Sequence, residues 1–134
     1  MVKTLGIVMG TLFVLGGLLG FVPGVVKDGL YLGIFMVNTA HNILHIASGA
    51  IFLIASTLGP GFARLWFQIF GIAYAAMAAS GFQVGDGMIG GVISNNRYDS
   101  WGHAALALIL LLIGFGVPKQ AATITKPSSA PRAG

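Results

Sequence analysis

The stretch Asn38-Thr-Ala-His41-Asn42-Ile-Leu-His45 places two of the three histidines of the chain inside one of its most apolar parts. The stretch has a counterpart 58 residues further along the chain. Five identities and one exchange of polar residue type occur at this offset, which pairs Asp28, Gly29, Gly33, Asn38, His41 and His45 with Asp86, Gly87, Gly91, Asn96, Asp99 and His103. The chain is therefore predicted to contain an internal duplication, with a polar cluster in each half.

The composition indicates an integral membrane protein. Apolar residues make up 56% of the 134 residues and charged residues only 7%, whereas about a quarter of the residues of a soluble domain are charged. Four charge-free runs, residues 4–26, 29–63, 65–85 and 100–118, reach the roughly 20 residues that span the hydrocarbon core of a bilayer. The sequence predicts an all-α membrane protein with four transmembrane helices.

Turn and capping residues set the limits of these helices. We predict helices over residues 4–22, 39–57, 62–81 and 97–117, arranged as two parallel two-helix repeats over residues 4–57 and 62–117. Gly59-Pro60-Gly61 ends the second helix, and Asn38 is its predicted N-cap. The cap leaves residues 29–37 as an interfacial or re-entrant segment. The alternative is a single long, tilted helix that begins at Gly29.

Basic residues predict the orientation. On one side of the predicted bilayer no acidic residue offsets the basic ones, which are Lys3, Arg64, Lys119, Lys126 and Arg132. Because cytoplasmic loops hold the excess of lysine and arginine, we expect both termini in the cytoplasm and the protein in a bacterial inner membrane. Residues 118–134 are expected to form a basic, Pro- and Ser-rich tail after a transmembrane domain of residues 1–117. The net charge of +4 suits orientation at a lipid bilayer and not nucleic-acid binding.

Several motifs lie in the four predicted helices and their connections. They are Leu-Gly-Phe-Val-Pro-Gly at residues 19–24, Gly-Ile-Phe-Met-Val-Asn at 33–38, His-Asn-Ile-Leu-His at 41–45, and Asn96 followed by Asp-Ser-Trp-Gly-His at 99–103. Over residues 5 to 117 the chain resembles a bacterial family of small four-helix membrane proteins that is classified only as a domain of unknown function. It departs from that pattern at Ser100, where the family usually has asparagine. The resemblance implies the four-helix fold and no activity.

The spacing of the histidines is that of a helical metal site. His41 and His45 are four residues apart, so on a helix they lie one turn apart on the same face, and Asp99 and His103 repeat the spacing in the other half. If the second and fourth helices face each other, these four side chains form a donor set for Zn²⁺ or another divalent transition metal. Hydrogen bonds that support the imidazoles are expected from the three nearby amides, Asn38, Asn42 and Asn96.

Two other interpretations explain the same spacing. His45 and His103, equivalent under the duplication, are candidate axial ligands of a haem between the second and fourth helices. Alternatively, the imidazole, amide and carboxylate groups bond only to one another and hold the helices in register.

From the last interpretation we expect a structural or accessory membrane subunit, with transition-metal or haem binding as the alternative. We expect no enzymatic activity, since the sequence contains no glutamate and no phosphate-binding glycine-rich loop with its lysine. Besides lipid, other membrane subunits are candidate partners. The small-residue faces of the first and third helices are either buried inside the bundle or free to contact such a subunit.

Overall fold

Four long helices dominate the structure, a computed structural model that describes residues 1–118. They are α1 (Val2–Leu19), α2 (Thr39–Leu58), α3 (Pro60–Val84) and α4 (Arg97–Leu111), and a π-helix (Leu112–Gly116) continues α4. With α4 and the π-helix taken together, all four are long and apolar enough to span a bilayer. The predicted membrane fold with four transmembrane helices is confirmed. Of the predicted tail, residues 119–134 lie outside the described residues.

The first turn of α2 follows from its cap. Asn38 has an extended backbone, and its side-chain oxygen accepts a hydrogen bond of 2.9 Å from the backbone N–H of His41, as N-caps do. Asn96 caps α4 in the same way, and Asp99 completes a capping box by accepting from the backbone N–H of Asn96. The predicted start of α2 is confirmed, and the alternative of one long helix from Gly29 is wrong.

Short strands, which the sequence analysis did not predict, precede both capped helices. The segment before α2 forms the antiparallel strands β1 (Val26–Lys27), β2 (Leu30–Tyr31) and β3 (Phe35–Met36), and the segment before α4 forms β4 (Gly87–Ile89) and β5 (Ile93–Asn95). The turn between β1 and β2 contains Asp28 and Gly29 with φ of 52° and 77°. An Asp-Gly pair favours this two-residue hairpin turn because both positions require positive φ. The segment predicted as interfacial or re-entrant is therefore a small sheet.

Both sheets lie at the same end of the helix bundle, which we call the sheet end. The helices of each repeat pack closely, and α1 and α2 meet at two glycines. A Cβ atom on Gly49 would lie 2.6 Å from the Gly10 carbonyl oxygen, and one on Gly10 would lie 2.8 Å from the Gly49 carbonyl oxygen. Side chains are excluded at these positions because the two helix backbones touch, as small-residue interfaces in membranes allow.

A reciprocal pair of hydrogen bonds joins the two repeats. The side-chain amide of Asn38 donates to the carbonyl of Val92 over 2.8 Å, and that of Asn96 donates to the carbonyl of Ile34 over 2.7 Å. Both donors and both acceptors are 58 residues apart in the sequence. Each N-cap therefore also holds the strand segment of the other repeat, and the duplication inferred from the sequence is visible in the contacts.

The hydrophobic core lies between the helices, beyond the polar residues of the sheet end. Its largest fully buried side chains are Phe52, Phe67 and Leu110. Near the opposite end, the carbonyl of Gly114 in the π-helix accepts hydrogen bonds from the side chains of Arg64 and Gln68. These two bonds satisfy a carbonyl in the irregular last turns and fix α4 against α3.

Candidate metal site

Three histidines meet inside the bundle near the sheet end, and they are all the histidines of the chain. His41 and His45 lie on the first two turns of α2, and His103 lies on the second turn of α4. The ring centroid of His41 is 5.1 Å from that of His45 and 5.5 Å from that of His103. One ring nitrogen from each residue lies within 4.8 Å of the other two. We call these three residues the histidine cluster.

A backbone carbonyl sets the orientation of the His41 ring. Its Nδ1 lies 3.1 Å from the carbonyl oxygen of Ser94 in β5. A carbonyl only accepts hydrogen bonds, so Nδ1 is assigned as the protonated nitrogen and Nε2 retains its lone pair. A ring N–H bonded to a carbonyl is the usual arrangement behind a metal-binding histidine. Sequence reasoning missed Ser94 because its backbone, and not its side chain, makes the contact.

The Nδ1 atom of His103 is buried and has no hydrogen-bond partner among the described residues. The residue as a whole is 5% exposed. A buried polar group without a partner costs about 1–3 kcal/mol, so proteins rarely leave one unpaired without a reason. A bound ion or ligand atom would remove this cost.

Two aromatic rings complete the surroundings of the cluster. The Phe13 ring is 5.2 Å from that of His45, and the Tyr74 ring is 5.5 Å from that of His103 and 6.3 Å from that of His45. Neither ring could be identified from the sequence, since an aromatic residue in an apolar helix has no pattern that separates it from ordinary core residues.

The interpretation of His45 and His103 as axial ligands of a haem stays a prediction. A porphyrin held by both residues would extend past the imidazoles on every side. The ring of His41 lies near both rings, with centroid distances of 5.1 and 5.5 Å, and the ring of Tyr74 lies near both at 6.3 and 5.5 Å. A macrocycle would have to displace these neighbours, whereas a single metal ion would not.

Asp99, the fourth predicted ligand, lies outside the group of ligand atoms that approach one another within 4.8 Å. Its Oδ2 accepts two backbone hydrogen bonds of 2.9 Å, from the N–H of Asn96 and from the N–H of Met36 in the other repeat. The carboxylate therefore caps α4 and fastens β3 to it.

The duplication explains the exchange of histidine for aspartate. His41 and Asp99 are equivalent positions, and so are Met36 and Ser94. His41 donates to the Ser94 carbonyl, whereas Asp99 accepts from the Met36 N–H. Each side chain thus contacts the backbone of the other repeat at an equivalent position. The imidazole N–H meets a backbone carbonyl, and the carboxylate meets a backbone N–H.

The three amides predicted to support the imidazoles bond to backbone groups in the described part of the chain. Asn38 and Asn96 cap helices and join the repeats, as described above. Asn42 donates to the carbonyl of Gly20 over 2.8 Å. This bond fixes α2 to the end of α1, and a side chain on Gly20 would overlap the Asn42 amide. The amides were predicted to bond to the imidazoles. They bond instead to the backbone that positions the histidines.

Comparison with known proteins identifies a family. A family model described as "Domain of unknown function (DUF4383)" matches residues 3–116. No curated protein and no solved structure matches the chain. The match spans all four helices and the histidine cluster.

Proposed function

We propose that this chain, which belongs to the family described as a domain of unknown function (DUF4383), is a membrane protein that binds one divalent transition-metal ion through His41, His45 and His103. The convergence of one nitrogen from each histidine within 4.8 Å is the observation that supports this most directly. The unpaired Nδ1 of His103 and the carbonyl behind His41 support it independently.

The donor set narrows the choice of metal. Imidazole nitrogens suit zinc, copper, iron and nickel, whereas calcium and magnesium prefer oxygen ligands. With Zn–N bonds of about 2.0–2.1 Å, the nitrogens of a tetrahedral site are about 3.3 Å apart. The cluster has to contract by about 1.5 Å at most to reach this spacing, which small rotations of the side chains supply. Three protein ligands leave one coordination position open.

A purely structural role for the cluster is the second candidate. Against it, most of the side-chain hydrogen bonds that join the two repeats are made by other groups, namely the Asn38 and Asn96 amides, the Asp99 carboxylate and the Ser94 hydroxyl. Among the histidines only His41 joins the repeats, through the Ser94 carbonyl. His45 is partly buried and His103 is buried, yet neither makes a hydrogen bond to another described residue that would hold a helix in place. Nε2 of His41 and the rings of His45 and His103 are therefore available for binding, and we propose metal binding and not catalysis.

The location that we propose is the inner membrane of a bacterium, with the sheet end outside. Lys3 lies in the first turn of α1 and Arg64 in the second turn of α3, at the end of the bundle opposite the sheets. Basic residues without acidic neighbours favour the cytoplasmic side. In this orientation the metal site lies in the outer half of the bilayer.

The test is metal content after purification in dodecyl maltoside from cells grown with added zinc. We expect about one zinc ion per chain, and His45→Ala and His103→Ala should each lower the zinc content at least tenfold. Ser56→Ala is the matched control, because Ser56 is a buried polar residue on the same helix and is not a ligand. Folded wild-type protein without zinc, copper, iron or nickel would contradict the proposal, as would histidine variants that keep the metal.

A further inference from the structure

A cavity of about 390 Å³ opens between α1 and α4 beside the histidine cluster. Leu12 and Gly16 line it from α1, Gly102 and Leu106 line it from α4, and Phe35 covers it from β3. At its polar end lie His45, His103 and Asp99. We call this space the α1–α4 cavity. Its volume lies within the range of about 300–1,000 Å³ that is usual for small-molecule sites.

The two repeats differ at this cavity, because the equivalent space on the other side of the bundle is smaller. The equivalent space lies between α2 and α3 and measures only about 130 Å³. Tyr74 and Leu44 line that smaller space. They occupy the positions equivalent to Gly16 and Gly102, which are 58 residues away in each case. Two large side chains therefore close one interface, and two glycines leave the other open.

The glycines on the open side are not required by helix packing. A Cβ atom on Gly16 would meet nothing within 4 Å, and one on Gly102 would make only an ordinary contact of 3.5 Å with Phe35. This differs from Gly10 and Gly49, where backbones touch. The space beside Gly16 and Gly102 is thus free to hold a ligand.

The surroundings of the cavity indicate the chemistry of that ligand. Both flanking helices are long and apolar enough to span the bilayer, and Leu12 at the cavity is 59% exposed on the face that meets lipid. The approach is therefore from the hydrocarbon and not from water. The polar end, by contrast, contains the unpaired and buried Nδ1 of His103. A molecule that satisfies both ends has an apolar chain and a compact polar head.

We propose that the α1–α4 cavity binds a single-chain amphiphile from the bilayer, with an oxygen-donor head at the histidine cluster and its aliphatic chain between α1 and α4. The contact of the head rests on the proposed metal site, since the open coordination position of a three-histidine zinc ion accepts an oxygen ligand. The contact of the chain rests on the cavity alone. A carboxylate and a hydroxyl share the required chemistry.

The test measures equilibrium binding of radiolabelled dodecanoate, dodecanol and dodecane to the purified zinc-loaded protein. Both oxygen-headed probes should bind at least tenfold more tightly than dodecane, and removal of zinc should abolish that preference. The tighter of the two heads identifies the ligand as anionic or neutral. Equal affinities for all three probes in zinc-loaded protein would overturn the assignment of the head.

Gly16→Leu fills the cavity from α1 and should weaken binding of all three probes at least tenfold while the zinc content stays unchanged. Gly102→Leu fills it from α4, so the test remains decisive if one variant fails to fold. Gly24→Leu is the control, because Gly24 has open space around it and does not line the cavity. Unchanged binding in a folded cavity variant would overturn the proposal and leave the metal site intact. If the wild-type protein binds no metal but the cavity variants still lose probe binding, the metal site is refuted. The cavity is then retained as the site of the aliphatic chain of the ligand.

Discussion

Replacement of Asn96 tests the joint between the two repeats. Its side chain makes two bonds with separate roles: the oxygen accepts from the backbone N–H of Asp99 over 3.0 Å, and the amide nitrogen donates to the Ile34 carbonyl over 2.7 Å. Asn96→Ala removes both bonds at a residue that is only 8% exposed. Asn96→Ser keeps an oxygen for the cap and removes the amide that reaches the other repeat.

The expected losses of stability follow from these bonds. Loss of an N-cap costs about 1 kcal/mol, within a range of about 0.5–2. A side-chain hydrogen bond between membrane helices contributes about 0.6 kcal/mol on average and about 1.7 at most, and an acceptor left without a partner adds to the cost. We therefore expect Asn96→Ala to lower the free energy of unfolding by about 2–3 kcal/mol and Asn96→Ser by about 1–1.5 kcal/mol.

Unfolding by sodium dodecyl sulfate in dodecyl maltoside micelles, followed by circular dichroism at 222 nm, measures both variants. Asn38→Ala supplies the equivalent change in the other repeat, where the amide bond to Val92 is more exposed, and should cost less than Asn96→Ala. If Asn96→Ser unfolds at the same detergent fraction as the wild type, the bond to Ile34 contributes nothing. The account of how the repeats are joined would then be refuted.

Two further variants examine the packing and the polar end. Gly49→Ala places a Cβ atom 2.6 Å from the Gly10 carbonyl oxygen, so we expect the overpacking to lower the free energy of unfolding by about 1–3 kcal/mol. Gly16→Ala is the control, because its Cβ atom meets nothing within 4 Å and should leave stability unchanged. Equal melting temperatures for the two variants would contradict the close contact of α1 and α2. Asp99→Asn weakens the two charge-assisted bonds to backbone N–H groups, which should cost about 1–2 kcal/mol and speed the hydrogen exchange of the Met36 amide. Zinc content should not change in this variant, and its loss would show that Asp99 is a metal ligand after all.

The sequence predicted those parts of the fold that depend on local chemistry. The four helices follow from the length of the apolar runs, and the start of α2 follows from the ability of Asn38 to cap a helix. The strands were missed although Asp28-Gly29 is a known hairpin signal. The runs of residues around this turn are too short and too apolar to show the alternation of polar and apolar residues that is typical of a strand. In addition, the pairing of β2 with β3 depends on contacts across the turn between them.

The candidate site was predicted in part for a related reason. Helical spacing brings His41 next to His45, and the duplication points to His103, so these three could be inferred together. The role of Asp99 could not, because its carboxylate bonds to backbone N–H groups whose positions only the folded chain defines. The α1–α4 cavity likewise could not be predicted from the sequence. The two glycines that leave it open, Gly16 and Gly102, are recognised only when the structure shows that Tyr74 and Leu44, at the equivalent positions of the other repeat, line a smaller space.

X-ray absorption at the zinc edge of the zinc-loaded protein identifies the atoms that bind the metal. All three histidines of the chain lie in the cluster, so every imidazole that the spectrum detects is from this site. A three-histidine site gives three imidazole nitrogens at about 2.0–2.1 Å and one oxygen in the fourth position, and the zinc signal per chain should fall at least tenfold in His103→Ala. A spectrum dominated by oxygen ligands, or one that His103→Ala leaves unchanged, would contradict the three-histidine site.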